Sequence, residues 1–388
     1  MKRVITYICT IIFSLTFVFG LGGMYRSHID GITNNHIDYE RVKISRIVRE
    51  DSIGNDPSFG NNKRSEIHFE ARILDGEDKG DKIAGIQLID GTIYTHFPRV
   101  EEGQNIIVTR SQNTDGKLVW AYVSHDRIAP LIILCVILSV CLLIFGRMSG
   151  LNTLISLAFT ILAVFLVYIP AILAGHNVYL WTFIIALFIV SMTLILVNGW
   201  NSKSLVAAIG CMGGVVVSGL ILLFMDIFLK ITGVINDESI YLTLLDTPTP
   251  LDLKAIAYGA MIIGAIGAIM DVAVNIAASL HEVKVQNRKL GSKSLFRSGM
   301  TIGRDILGTM MNTLVLAYIG SSLSLVLILY VNFSQAPTYL FNTEMIVVEI
   351  LQSLIGSFGL LSTIPLSAYV ASMFYKNKYM LKNYNKNK

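Results

Sequence analysis

One carboxylate lies deep within an apolar segment that is otherwise free of charge. Asp271 is the only Asp, Glu, Lys, Arg or His residue between Ala255 and Leu280. An ionisable side chain inside a membrane span is costly and often marks an ion or proton pathway. At about 100° per residue, Asp271 and Asn275 share a helix face with Gly264 and Gly267. We therefore identify Asp271 and Asn275 as the centre of a candidate intramembrane ion or proton site.

Two later apolar segments carry similar polar faces. Thr309 and Asn312 share one face with Asp305, and the last segment has a stripe of small and polar residues. Three consecutive helices of this kind should pack closely, with their polar groups turned toward one another. Thr309 and Asn312 therefore complete the candidate site, and the supporting residues are Arg304, Asp305, Gln352 and Thr363.

A purely structural role is the alternative for several of these residues. Small residues at helical spacing are ordinary packing signals in membranes, and the repeat Gly210, Gly214 and Ser218 is interpreted only in that way. Asp305 is expected in the first turn of the seventh span, where a carboxylate complements the helix dipole. Asp271 has neither a cap nor an interface within reach, so the functional interpretation is favoured there.

Motifs for enzymes, metals and cofactors are missing from the sequence. His281 and Glu282 begin an H-E-x-x-H pattern, but Val285 stands where the second histidine is required. The chain has no G-x-x-x-x-G-K-[ST] loop for phosphate binding. Its four cysteines all lie in apolar segments, which excludes a cysteine zinc cluster. We expect no catalytic residues, no metal and no cofactor.

The composition indicates a polytopic α-helical membrane protein. Of the 388 residues, 53% are hydrophobic and 15% are charged, whereas soluble domains carry about 25% charged residues. Apolar blocks long enough to cross a bilayer predict about eight transmembrane helices. The predicted organisation is an anchor at 1–25, a polar module at 26–127, helices two to five at 128–230, an outer loop at 231–254, helices six to eight at 255–375 and a basic tail at 376–388.

The orientation in the membrane follows from how Lys and Arg are distributed between the loops on its two sides. With the N-terminus inside, the inner segments hold 15 basic residues and the short outer loops hold two, Lys230 and Lys254. Both termini are therefore predicted to be cytoplasmic in a multi-pass protein of the cell membrane. The first apolar run resembles a signal peptide, but Gly20, Gly22 and Gly23 supply no A-x-A cleavage site, so an uncleaved anchor is favoured.

The polar module at 26–127 is predicted to be an extracytoplasmic β domain. Period-two alternation occurs at Val42–Val48, Ile67–Ile73 and Leu118–Tyr122, and turn signals separate the runs. About five short strands indicate a small barrel, for which an OB-like fold is one candidate. The module has 14 basic and 17 acidic residues, which argues against nucleic acid as a partner. Two alternatives remain open, a partner-binding module and a spacer that folds by itself.

Long runs of the sequence resemble the YibE/F family of membrane proteins. They are GAIGAIMDVA at 264–273, SLHEVK at 279–284, SGMTIGRDILGTMMNTL at 298–314 and GSFGLLSTIPL at 356–366. The resemblance implies the whole layout of an anchor, an outer β module and a multi-span block. It also implies that Asp271, Arg304, Asp305 and Asn312 are residues of the family's signature, but it assigns no role to them. The order of features is also similar, more weakly, to SecD/SecF and RND-type permeases, in which intramembrane carboxylates couple proton movement to conformational change.

Two functions of different class are expected from these observations. The first is a transport or translocation factor whose polar intramembrane core is centred on Asp271 and coupled to protons or cations. The alternative is a non-transporting scaffold or regulator whose outer β domain binds a partner. The expected partners are the lipid bilayer, an unknown small solute or ion, and a membrane-protein partner or a second copy of the chain.

Overall fold

The computed structural model describes residues 2–29, 39–53, 64–76, 78–90, 98–112, 118–245, 247–332 and 337–375. The chain divides into two compact units. One unit combines the residues up to 32 with those from 142 onward, and the other covers 33–141. Each unit has its own hydrophobic core.

The chain starts with an apolar helix. Helix α1 (Lys2–Leu15) continues through a π-helical turn at Thr16–Gly20 into α2 (Leu21–Ile29). The stretch Ile5–Tyr25 is long and apolar enough to cross a membrane. This agrees with a membrane-spanning first segment at 4–25.

The polar module is a closed five-stranded barrel. Its strands are β1 (Tyr39–Ile53), β2 (Arg64–Ile73), β3 (Lys82–Asp90), β4 (Asn105–Gln112) and β5 (Leu118–His125). The spatial order is β1-β2-β3-β5-β4, and β1 closes the barrel by pairing with both β2 and β4. All pairings are antiparallel except β3 with β5. A small barrel of about five strands was predicted, and this prediction is confirmed.

The barrel core follows from the alternation in the strands. Apolar side chains at every second position, such as Ile67, Phe69 and Ala71, are fully buried. The ring of Phe69 lies where a Cβ at position 85 would be, so Gly85 is required there. The buried amide of Gln87 is satisfied, because it donates to the carbonyl of Pro98 and accepts from the backbone N–H of Val100.

The other unit is helical and combines α1 and α2 with the helical chain from residue 142 onward, whereas residues 128–141 belong to the unit of the barrel. The helices that follow the barrel are α3 (Ile128–Ala163), α4 (Ile169–Leu173), α5 (Val178–Asn198), α6 (Ser202–Leu229), α7 (Asp237–Thr243), α8 (Leu253–Gln286), α9 (Ser292–Ser321), α10 (Leu323–Asn332), α11 (Pro337–Phe341) and α12 (Glu344–Phe374). A π-helical turn at Val164–Tyr168 links α3 to α4. Among the described residues, six helices are long and apolar enough to cross a membrane, and a seventh span is obtained if α9 and α10 count as one bent span.

The longest apolar stretch, Ile128–Leu173, is broken in the middle. Arg147 has a φ of 48° and a ψ of −125°, which is not helical. A Cβ at Gly150 would meet the backbone carbonyl of Leu142, eight residues earlier. Eight residues of a straight α-helix span about 12 Å, so the chain folds back on itself at Arg147.

Three of the long helices, α5, α6 and α8, begin with a capping side chain. Asn177 accepts from the N–H of Leu180 at the start of α5, and Asn201 accepts from that of Ser204 at the start of α6. Asp252 accepts from the N–H of Ala255 at the start of α8. Helices α6, α8 and α9 all pack against α12, and glycines allow close approach at these contacts.

Candidate functional site

Helix α8 carries the central residues of the predicted site on an exposed face. Gly264, Gly267, Asp271 and Asn275 are all exposed. Ile269 lies on the opposite face, is fully buried and contacts the position of Gly359 in α12. At Asp271 and Asn275 the polar face of α8 is therefore turned away from α12, so the expectation that the polar groups of the three helices turn toward one another is wrong there.

Asp271 lies near the middle of α8. It is 18 residues after Leu253 and 15 residues before Gln286, so at 1.5 Å per residue each helix end is more than about 20 Å away. Among the described residues it has neither a hydrogen-bond partner nor an ion-pair partner. A carboxylate in this position is the feature that a membrane span tolerates least.

Helix α9 presents a second polar face with the same relation to α12. Asp305, Thr309 and Asn312 are exposed on α9, and Thr309 Oγ1 donates to the carbonyl of Ile306 at 2.9 Å. Gly303, on the opposite face, packs on Ile364 of α12. The polar faces of α8 and α9 thus both point away from α12, and we call the two together the outer polar face.

Asp305 does not lie in the first turn of its helix, so that expectation is wrong. Helix α9 begins at Ser292, and Asp305 follows 13 residues later, next to exposed Arg304. Because the helix dipole acts mainly within the first turn, it does not account for this carboxylate.

The two supporting residues of α12 are separated from each other. Gln352 lies beside α8, where a Cβ at Gly264 would be 3.7 Å from its Nε2 and 3.5 Å from Oη of Tyr318. Thr363 is fully buried, donates to the carbonyl of Gly359 at 2.8 Å and packs on Gly214 of α6. The structure therefore brings Gln352 to the N-terminal end of the α8 stripe, whereas Thr363 contacts α6.

A second polar cluster, which the sequence analysis did not single out, lies at one end of α6. Asp226 accepts hydrogen bonds from Lys254 Nζ at 3.0 Å and from Tyr258 Oη at 2.7 Å. Lys254 and Tyr258 are four residues apart on α8, so their shared helix face was visible in the sequence. The carboxylate partner on α6 was not, because no local pattern connects residues 28 positions apart.

Glu344 forms a further contact that sequence reasoning missed. Its carboxylate accepts from the backbone N–H groups of Thr232 and Gly233, at 2.8 and 2.6 Å, and from the hydroxyl of Thr232. This ties the segment after α6 to the start of α12. Among the described residues, no three His, Cys, Asp or Glu side chains are grouped so that they could hold a metal ion.

The comparison with known protein families covers the helical unit. The profile of the YibE/F-like protein family matches residues 134–377. The chain belongs to the YibE/F-like family. The match includes α8, α9 and α12 with the whole outer polar face, and it begins after the barrel. Searches of curated proteins and of solved structures found no match.

Proposed function

We propose that this YibE/F-like protein crosses the cell membrane eight times, with both termini in the cytoplasm and the barrel outside. The break at Arg147 supports two spans within Ile128–Leu173, and α9 supplies a further span beyond the six apolar helices. The excess of basic residues in the predicted inner segments supports the orientation.

We further propose that the protein is a transport or translocation factor that uses Asp271 as a proton or cation site. The observation that carries this proposal is the position of Asp271: mid-helix, exposed, and without a partner among the described residues. In a bilayer such a carboxylate is stable only if it is protonated, hydrated or bound to a cation. Each of these states is a step of a coupled transport cycle.

The neighbouring neutral polar groups suit this role. Asn275 on α8 and Thr309 and Asn312 on α9 offer hydrogen bonds without adding a charge. Protonation of Asp271 removes its charge and changes which contacts the outer polar face favours. The relative populations of two packings of α8 and α9 can then depend on whether Asp271 is protonated.

The test is solute or proton flux in liposomes under an imposed pH gradient. Purified Asp271→Asn should insert normally and reach normal abundance, but it should lose flux. The matched control is Glu282→Gln on the same helix, whose carboxylate forms an exposed ion pair with Lys203 at 2.9 Å. Because exposed ion pairs contribute little, the control should keep flux within about twofold. Normal flux in Asp271→Asn would rule out the mechanism.

The alternative function, a non-transporting scaffold, is favoured by one specific observation. The outer polar face is not covered by described residues, and a Cβ at Gly267 or Gly308 would have no atom within 4 Å. A partner helix could pack there through the small residues. Gly267→Cys and Gly308→Cys discriminate between the functions: labelling by a small aqueous maleimide supports the transport pathway, and crosslinking to a stable partner without flux supports the scaffold.

A further inference from the structure

A pocket of about 500 Å³ lies where the end of α8 meets the first turns of α9. Its lining combines one guanidinium, three hydroxyls and two aliphatic side chains. The lining residues are Val283, Ser294, Arg297, Ser298, Thr301 and Ile302. The pocket is separate from the outer polar face around Asp271, and the proposed function does not use it.

The polar lining is suited to a phosphate group. Arg297 is exposed and has no ion-pair partner among the described residues. Thr301 Oγ1 is already engaged, because it donates to the carbonyl of Arg297 at 3.1 Å. The hydroxyls of Ser294 and Ser298 remain as donors beside the guanidinium. A guanidinium with adjacent hydroxyl donors is a common arrangement for binding phosphate oxygens.

The charge around the pocket is uniformly positive. Residues 283–304 contain six basic residues and no acidic residue. Of the two flanking carboxylates, Glu282 is already paired with Lys203, and Asp305 lies one turn of α9 beyond Thr301 and two turns beyond Arg297, so six basic residues face one carboxylate without a described ion pair. This cluster attracts anions to the end of the span.

The loop that joins α8 to α9 is held against the end of α8. Lys284 is buried, and its Nζ donates to the carbonyls of Arg288 and Leu290 at 3.1 and 2.6 Å. Residues 287–291 are therefore held against the end of α8. The connection between the two helices that line the pocket is therefore fixed, so it does not have to be ordered when a ligand binds.

We propose that this pocket binds the phosphate of one anionic phospholipid. The guanidinium of Arg297 and the hydroxyls of Ser294 and Ser298 hold the phosphate oxygens, and Val283 and Ile302 contact the glycerol and the first acyl carbons. A lipid is favoured over a soluble phosphate because the pocket lies at the end of the apolar helix α8 and has an aliphatic wall. The proposal requires that α8 and α9 cross the membrane, and it is independent of transport.

Native mass spectrometry of the full-length protein in detergent tests the proposal. Phosphatidylglycerol and phosphatidylcholine are titrated separately, and the affinity of the first bound lipid is compared. Wild type should bind phosphatidylglycerol at least about tenfold more tightly than phosphatidylcholine. Arg297→Gln should remove this preference, because hydrogen bonds to charged groups are strong. Equal binding of the two lipids by wild type would overturn the proposal.

Two matched variants separate the pocket from general attraction by positive charge. Lys293→Gln removes a charge from the same helix at a position that does not line the pocket, so it should lose at most about fivefold in affinity. Ser294→Ala with Ser298→Ala keeps the charge and should lose at least about threefold for phosphatidylglycerol alone. Equal losses in Arg297→Gln and Lys293→Gln, or no loss in the serine variant, would contradict the pocket.

Two further controls test whether the variants are folded and whether the bound phosphate belongs to a lipid or to a soluble molecule. All variants should melt at the wild-type temperature in detergent with phosphatidylcholine, since the changed side chains lie on the surface. Glycerophosphate without acyl chains should fail to displace bound phosphatidylglycerol. Displacement by glycerophosphate would assign the pocket to a soluble phosphate and overturn the lipid assignment.

Discussion

At the scale of single residues, the clearest feature is the close contact between α6 and α12. A Cβ at Gly214 would meet Thr363 Oγ1, and a Cβ at Gly359 would meet the hydroxyl of Ser218. Ser218 Oγ also donates to the carbonyl of Ile355 at 3.2 Å. The repeat Gly210, Gly214 and Ser218 was interpreted as a packing signal, and this interpretation is confirmed.

Gly214→Ala should destabilise the helical unit. Because the added methyl group meets both Thr363 and the backbone of Gly359, we expect a loss of about 1–3 kcal/mol of stability. The measurement is thermal unfolding of the purified protein in detergent. Gly267→Ala is the matched control, since a Cβ there has no described atom within 4 Å, and because alanine favours a helix more than glycine does, it should not lower the melting temperature. Equal melting temperatures for both variants would contradict the close contact.

The shared face of Asp271 and Asn275 could be predicted from helical periodicity alone. The partners of the polar stripes could not. Thr363 and Gln352 both belong to the stripe of α12, but one packs on α6 and the other lies beside Gly264 of α8. Periodicity gives the direction of a side chain on its own helix, whereas the neighbouring helix is decided by tertiary packing. The functional role of Asp271 stays a prediction.

At the scale of elements, the break at Arg147 carries the proposal that Ile128–Leu173 contains two spans. A single helix over Ile128–Leu173 would place Arg147 near its middle. The close approach of Gly150 to Leu142 shows instead that two helical segments meet at a tight turn. A non-glycine residue at positive φ is uncommon and is expected in a turn rather than within a span.

Met148→Cys should therefore react with a membrane-impermeant maleimide added from the cytoplasmic side. Met148 follows the turn directly, and 76% of it is exposed. The measurement uses a variant without the four native cysteines, in intact cells and in inverted vesicles. A cysteine at Leu134, within the apolar part of α3, is the matched control and should stay unlabelled on both sides. Labelling of position 148 from outside, or from neither side, would contradict the eight-span orientation.

The start of α9 shows the limit of counting apolar residues. The sequence analysis placed the seventh span from Asp305, because the preceding residues are rich in basic side chains. The helix itself starts at Ser292. Charged residues exclude a segment from the hydrocarbon core but do not stop helix formation. The sequence therefore predicted where the apolar part begins, not where the helix begins.

At the scale of the whole molecule, the barrel and the helical unit are separate folding units. The barrel core is built around residues such as Val42, Phe69 and Ile106, and none of them belongs to the helical core. The five-strand barrel could be predicted because its strands alternate and are separated by turns. Its spatial order could not, because the β3–β5 pairing joins strands that are distant in sequence.

Deletion of residues 30–125, replaced by a flexible linker, should leave the helical unit folded. Since the two cores share no residues, we expect normal abundance and an unchanged melting temperature of the remaining protein. Under the proposed function the shortened protein should also keep flux in liposomes. Loss of activity with normal folding would instead favour the scaffold, in which the barrel binds the partner.

The glycine contacts between α6 and α12 have a mechanical consequence. With Thr363 seated on Gly214 and Ser218 seated on Gly359, neither helix can slide or rotate past the other without steric overlap. The pair is therefore expected to move as one rigid block in any conformational change. Relative movement of helices is expected where such close contacts are missing, above all at the 74° bend between α9 and α10.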